Sequence, residues 1–211
     1  MRKAIWCDFG GVLTPPVSVT VAAFCRRVGV APDLLIAAMT AVARRYGTDD
    51  LMEPLDTPLV TEEEWGKLME AEVYERFGVL VDLSDFSGKW FADREPNAEL
   101  VQYLVRLRAR GHFVGLLSNM VPAWDTHWRR MVPPETFDGI VLSFEVGARK
   151  PQEAIYRLAA TQAGAIDNAC ILIDDLEKNA IGARAAGWSA VQFQNNADAI
   201  DQLETFVSEG E

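Results

Sequence analysis

The sequence predicts an α/β protein: a parallel sheet flanked by helices and interrupted after its first strand by an all-helical insertion. Three observations lead there. Short apolar runs without polar alternation occur at residues 4–7, 113–117 and 169–173, as expected of strands buried on both faces. From residue 97 onward such runs alternate with stretches of helical spacing, the pattern of a parallel sheet with crossover helices. Between residues 16 and 94, helical patterns follow one another with no candidate strand between them. A chain of 211 residues suits one large domain, or a domain carrying an insertion, and its 49% hydrophobic content is ample for a core.

The first strand, Ala4-Ile5-Trp6-Cys7, ends on Asp8 and is followed by Phe9-Gly10-Gly11-Val12-Leu13-Thr14. Ligands of open α/β sheets bind at the carboxyl ends of the strands. A carboxylate there is a candidate metal ligand or nucleophile; taken alone, Asp8 could equally open a turn. Pro15 and Pro16 then break the backbone. Val21, Ala22, Phe24, Cys25 and Val28 have helical spacing, stopped by Gly29, and Pro32-Asp33 opens a second helix over 34–46, closed by Gly47. Residues 48–57 read as a polar loop. Thr61-Glu62-Glu63-Glu64 is a capping box whose helix runs to Phe77, where Gly78 stops it. The insertion is acidic, with 8 Lys/Arg against 14 Asp/Glu over 16–94, and 93–96 reads as its return hinge.

Leu100, Leu104 and Leu107 mark the next helix, ending at Gly111, and the strand 113–117 closes on Ser118-Asn119. Another short strand lies within 137–144. Gly147-Ala148-Arg149-Lys150-Pro151 is a loop whose proline suits the first turn of a helix, which runs to Gly164. The strand 169–173 ends on the paired carboxylates Asp174-Asp175. A helix over 176–186, a strand over 190–193 and a last helix after Asn195 complete the chain. The predicted organisation is therefore an α/β core of 1–15 plus 95–211, with 16–94 as a helical domain inserted into it.

A net charge of −11 repels polyanions over a Debye length of roughly 10 Å, which argues against nucleic acid as a partner. A small phosphorylated substrate remains compatible, because a metal ion and a few local cations dominate a pocket. Cys7, Cys25 and Cys170 are scattered and form no CxxC pair; Cys7 and Cys170 fall in apolar patterns and read as reduced core residues. With only His112 and His127 present, a histidine zinc cage or a Ser-His-Asp triad has little support. No apolar run approaches the ~20 residues that cross a bilayer. The lead-in Met1-Arg2-Lys3 is too short for a signal peptide, so a cytoplasmic protein, monomer or homodimer, is expected.

The chemistry-bearing residues fall where the sheet would gather them: Asp8, Ser118-Asn119 and Asp174-Asp175 at strand ends, and Lys150 on a loop. Each alone has a plainer reading. Ser-Asn after a strand suits a helix cap, and paired aspartates suit the positive end of a helix. The order and spacing of all four is specific. The run Asp-Phe-Gly-Gly-Val-Leu-Thr, then Leu-Leu-Ser-Asn, then Lys150-Pro with Ile155-Tyr156, then Asp174-Asp175 with Asn179 and Ala-Gly-Trp, resembles the haloacid dehalogenase superfamily. The likeness covers 1–15 and about 95–205, and is nearest to the phosphatase branch, particularly the N-terminal phosphatase domains of soluble epoxide hydrolases.

That resemblance implies a Rossmann-like, three-layer parallel sheet of at least five strands, with 16–94 as its helical cap. It implies an Mg2+-dependent phosphatase in which Asp8 attacks phosphorus, giving an aspartyl-phosphate that water cleaves. The family pattern makes the Asp8 carboxylate, the Gly10 carbonyl, Asp174 and Asp175 the metal ligands or their water-mediated partners. Ser118 would donate to the phosphoryl group, Asn119 would help orient it, and Lys150 would offset negative charge. Asn179 would support the site from behind.

One departure bears on the chemistry. Phosphatases of this family carry a second aspartate two residues after the nucleophile, which protonates the leaving group and then activates water. Here that position is Gly10, and general acid–base help is typically worth ~10²–10⁴ in rate. Water, Thr14 or a residue of the insertion would have to supply the proton, or the substrate would carry a good leaving group. Branches lacking that aspartate include haloacid dehalogenases, phosphonoacetaldehyde hydrolases and phosphoaspartate-forming cation ATPases. A dehalogenase needs no metal, which the Asp174-Asp175 pair argues against. A phosphonatase needs a cap lysine, for which the insertion offers only Lys67 and Lys89. The remaining alternative is a degenerate fold retained as a binding or regulatory module.

Overall fold

The computed structural model describes residues 2–209. In chain order, β1 (Ala4–Cys7) leads through a wide turn into α1 (Val17–Val28), α2 (Pro32–Arg45), α3 (Glu53–Asp56), α4 (Glu62–Phe77) and α5 (Phe86–Phe91). Then follow α6 (Ala98–Ala109), β2 (Phe113–Ser118), α7 (Asp125–Met131), β3 (Gly139–Leu142), α8 (Ser143–Val146) and α9 (Glu153–Ala163). The chain closes with β4 (Cys170–Asp174), α10 (Glu177–Ala185), β5 (Ser189–Gln192) and α11 (Asn196–Ser208). It divides into two compact units: one holds the chain up to Pro16, Glu95–Asn119 and everything from Trp128, the other Val17–Arg94 with Met120–His127.

The first unit is the predicted α/β fold. Its five strands run parallel in the order β3-β2-β1-β4-β5. The chain moves outward from β1 on one side, then crosses back to begin again at β4 on the other. β1 therefore lies at the topological switch point, where the crevice of such sheets opens. Every residue of β1 is buried, which explains its unbroken apolar run: Ala4 and Trp6 face one helical layer and Ile5 and Cys7 the other. On the Trp6 face, Ile155, Tyr156 and Ala159 of α9 and Ala183 of α10 close the core. Helices α6 and α11 pack together and onto β2 and β5. Gly115 is required by this packing, since a Cβ there would run into the Trp6 ring.

The strand register places the chemistry. Cys7 pairs with Leu116 on one side and Ile173 on the other, so Asp8, Ser118 and Asp174 leave the sheet at one edge. The predicted start of the helix after Lys150 shifts. Pro151 lies in a turn and α9 opens at Glu153, because the Lys150 peptide is held from outside, as described below.

The second unit is all-helical. Phe24, Leu35, Val42, Leu55, Trp65, Met69, Val73 and Leu83 form its core. The capping box is present: Glu64 N donates to Thr61 Oγ1 (3.2 Å) and Thr61 N to Glu64 Oε2 (3.3 Å), and Gly78 stops α4 at φ 68°. Glu72, buried in α4, is neutralised by Arg45 and by Arg76 (2.6 Å). Two features were not predicted. Residues 86–91 form the short helix α5, and the segment Met120–His127, far along the chain, contributes Val121 and Trp124 to this unit.

Candidate active site

Asp8 begins where β1 ends, its N–H donating to the Ile173 carbonyl (2.9 Å). Its Oδ1 accepts from Ser118 Oγ at 2.8 Å and lies 2.9 Å from Lys150 Nζ. Lys150 is fully buried and its Nζ also contacts Asp174 Oδ2 at 2.5 Å. One ammonium thus bridges carboxylates from β1 and β4. Burial pulls its pKa down, but Asp174 and Asp8 outweigh that and hold it well above the ordinary lysine value. Burial pushes the Asp8 carboxyl up, Lys150 opposes, and the net shift is upward.

The two aspartates after β4 occupy different environments. Asp174 is completely buried, and both its oxygens are engaged: Oδ1 accepts from Leu176 N (2.9 Å) and Asn179 Nδ2 (2.9 Å), and Oδ2 from Asn179 Nδ2 (3.1 Å) and Lys150. Asn179 is itself placed by the Tyr156 hydroxyl, which donates to its carbonyl (2.8 Å). Asp175 is half-buried and not held by Lys150. Burial, then the charges of Asp8 and Asp174, push its carboxyl up to about 7. Its side chain lies against Gly11, where φ is +73° and any Cβ would collide with the Asp175 carboxylate. Glycine is needed there on both counts.

Asn119 clasps the loop that carries Lys150. Its Nδ2 donates to the Lys150 carbonyl (2.9 Å) and its Oδ1 accepts from the Lys150 N–H (2.7 Å). This double clasp fixes the Lys150 peptide outside helical geometry and delays α9. Thr14 is likewise committed: its Oγ1 accepts from Gly11 N (3.2 Å) and donates to the Phe9 carbonyl (3.4 Å), bracing the turn after β1. Gly10 sits in that turn at φ −69°, ψ 128°, an ordinary conformation for any residue, and a Cβ there would meet nothing within 4 Å.

Asp8, Asp174 and Asp175 each offer an oxygen within 4.8 Å of the others. Three carboxylates against one buried ammonium leave a formal excess of two negative charges. An all-oxygen donor set with that excess fits a hard divalent cation such as Mg2+. Within the helical unit, arginines and aromatic side chains have partners of their own. Arg27 pairs with Asp93 (2.7 Å), Arg44 with Asp49 (3.5 Å) and Arg45 with Glu72. His127 stacks on Phe91, and Trp124 donates to Glu62 (2.9 Å). Trp128 is fully buried, edge-on to Phe9. All three cysteines are buried and free. No helix among the described residues is long and apolar enough to cross a membrane.

The parallel sheet thus presents a buried carboxylate–lysine cluster at its switch point. A family model described as haloacid dehalogenase-like hydrolase matches residues 2–187, and the chain belongs to that family. Among curated proteins, a sesquiterpene phosphatase of Aspergillus oryzae is 30% identical over 114 residues. That match covers 53% of this chain and 58% of the relative, little more than half its length. Among solved structures, a predicted HAD-like family hydrolase from Porphyromonas gingivalis superposes with a TM-score of 0.68 at 23% identity, covering 96% of this chain and 98% of the other. A HAD family enzyme of Bacteroides thetaiotaomicron, in complex with magnesium and inorganic phosphate, gives 0.65 at 20% identity over 92% and 95% of the two chains. The L-2-haloacid dehalogenase of Xanthobacter autotrophicus, with chloropropionic acid covalently bound, gives 0.63 at 16% identity over 90% and 76%.

Proposed function

We propose that this chain is an Mg2+-dependent phosphatase of small organic phosphates, with Asp8 as its nucleophile, the α/β portion (1–15 with 95–211) as catalytic core and 16–94 as its cap. The observation that carries this is the charge arrangement around Asp8: a buried lysine and a hydroxyl grip one oxygen of a carboxylate that two further aspartates surround. Displacing halide needs no cation, whereas a phosphoryl group brings negative charge that a bound cation would offset. The Aspergillus relative, a phosphatase, and the magnesium and phosphate bound in the Bacteroides structure support the same reading.

In this mechanism the Asp8 carboxylate, the Gly10 carbonyl and Asp175 would hold the cation, while Asp174 holds Lys150. The bound ion would draw charge from the phosphoryl oxygens and keep Asp8 ionised. Lys150 and Ser118 fix the rotation of the Asp8 carboxylate, so that its second oxygen is offered to phosphorus in one orientation. The attack forms an acyl phosphate on Asp8, and Lys150 offsets the negative charge gathered there. Water then releases phosphate. Asn119, Asn179 and Tyr156 act only by holding Lys150 and Asp174 in place.

The test is phosphate release from p-nitrophenyl phosphate and a metabolite panel, with magnesium or EDTA, by the wild type and Asp8→Asn. Release that needs magnesium and vanishes in Asp8→Asn is expected. Full activity in Asp8→Asn would sink the mechanism.

A further inference from the structure

The reading above leaves one proton unassigned. When a phosphate ester of an ordinary alcohol breaks, the departing oxygen would leave as an alkoxide, about as basic as hydroxide, whose conjugate acid has a pKa of ~16. A general acid relieves this. The turn that carries Asp8 supplies none: from Phe9 to Thr14 it holds no titratable side chain. At Gly10, two residues from the nucleophile, the backbone is relaxed and the space beside it open to 4 Å. A Cβ would be accommodated there without strain; the position carries no side chain. Asp175, the nearest further carboxyl, would be taken up by the cation in the mechanism above, and the other polar groups around Asp8 are engaged. Thr14 spans Gly11 N and the Phe9 carbonyl, Asn119 clasps the Lys150 peptide, and Ser118 donates to Asp8. The Lys150 ammonium lies between Asp8 and Asp174.

Resting on the phosphatase reading, we infer that the substrate carries its phosphoryl group on an oxygen that departs without a proton, as in the terminal phosphoryl of a phosphoanhydride. An Asp8 oxygen forms the new bond to phosphorus, and the bridging P–O bond breaks with its electron pair going to the bridging oxygen. For an alkyl diphosphate that oxygen leaves as part of an alkyl phosphate dianion, whose conjugate acid has a pKa near ~6. No proton moves in this step. Water then attacks phosphorus and the Asp8–phosphorus bond breaks, restoring the carboxylate. One water proton stays on the released hydrogen phosphate and the other passes to solvent. Acyl and activated aryl phosphates share the same leaving-group chemistry.

The test compares kcat/KM, which reports the enzyme through the phosphorylation step whichever later step limits turnover. Two pairs are used with magnesium present: an alkyl diphosphate against its own monophosphate, and p-nitrophenyl phosphate against phenyl phosphate, whose leaving group has a pKa of about 10. Acetyl phosphate is the acyl arm and separates that source from the diphosphate. The weaker base of each pair is expected to be favoured by at least ~10², the low end of what a general acid contributes. Monophosphate and phenyl phosphate cleaved within about threefold of their partners would overturn the inference and leave the phosphatase reading standing. No phosphate release from any compound would remove that reading and the inference with it.

Discussion

Replacing Lys150 with methionine isolates the interaction on which the site's architecture rests. Methionine fills a similar volume, so the change deletes a charge more than it opens a cavity. Lys150 is fully buried, with one carboxylate at 2.9 Å and another at 2.5 Å. Removing one partner of a buried ion pair leaves uncompensated charge and costs about 3–5 kcal/mol; with two carboxylates stranded, the upper half of that range applies. For a chain of this length each kcal/mol lowers Tm by roughly 2–4 °C, so a drop of about 10–20 °C is expected in metal-free buffer. The sign of the pH dependence follows from the carboxylates. Burial raises Asp8 above its unfolded value even with Lys150 present, and losing the lysine raises it further. An acid with a raised folded pKa destabilises above its unfolded pKa of about 3.9 and costs nothing below it. The deficit of Lys150→Met is therefore full at pH 7–8 and shrinks toward pH 4. Urea denaturation of both proteins across that range is the assay. A deficit below ~1 kcal/mol at pH 7.5, or one that grows on acidification, would refute the reasoning.

Further outcomes follow from the same geometry. Gly10→Asp is expected to fold with wild-type stability, since the backbone is relaxed and a Cβ meets nothing within 4 Å; measured on alkyl monophosphates, its kcat/KM should rise by ~10²–10⁴. In the metal-free protein the Asp175 carboxyl has its pKa at about 7, so it must lose a proton before it binds a cation. Calorimetry should show Mg2+ affinity falling about tenfold per unit below pH 7 and levelling off above it, and the dependence should be lost in Asp175→Asn. Gly11→Ala forces a left-handed φ of +73° on alanine and drives its Cβ into the Asp175 carboxylate. It is expected to cost about 1–3 kcal/mol and to weaken Mg2+ binding, both visible by thermal shift with and without the metal.

Much of this was legible in the sequence. Strands buried on both faces write themselves as unbroken apolar runs, and the polar residues that end them mark the functional edge. Asp8, Ser118, Lys150, Asp174 and Asp175 stand out on that basis together with the family resemblance, and the structure brings their side chains together. The division of labour between the two adjacent aspartates was not legible. It depends on which carboxylate Asn179 and Lys150 reach, a matter of side-chain geometry across β1, β4 and α10. The clasp of Asn119 on the Lys150 peptide was hidden for the same reason, and with it the late start of α9. Helix α5 was missed because Phe-Ser-Gly-Lys is a poor local helix former. Burial of Phe86 and Phe91, with the Asp85 cap on Gly88 N, sustains it. That Val121 and Trp124 complete the core of the helical unit follows from contacts more than thirty residues apart in sequence, such as Trp124 with Glu62, which no local pattern encodes.

The central claim is that Asp8 is phosphorylated and dephosphorylated in each cycle, and the most direct measurement is to catch it. Wild-type protein mixed with magnesium and p-nitrophenyl phosphate is quenched in acid within the first turnovers, digested and mapped by mass spectrometry. With no carboxylate at position 10 to activate water, the acyl phosphate should accumulate, giving a burst of p-nitrophenol and a phosphoryl mass increment on the peptide bearing Asp8. An increment on another residue, or turnover with no increment at any quench time, would contradict the account.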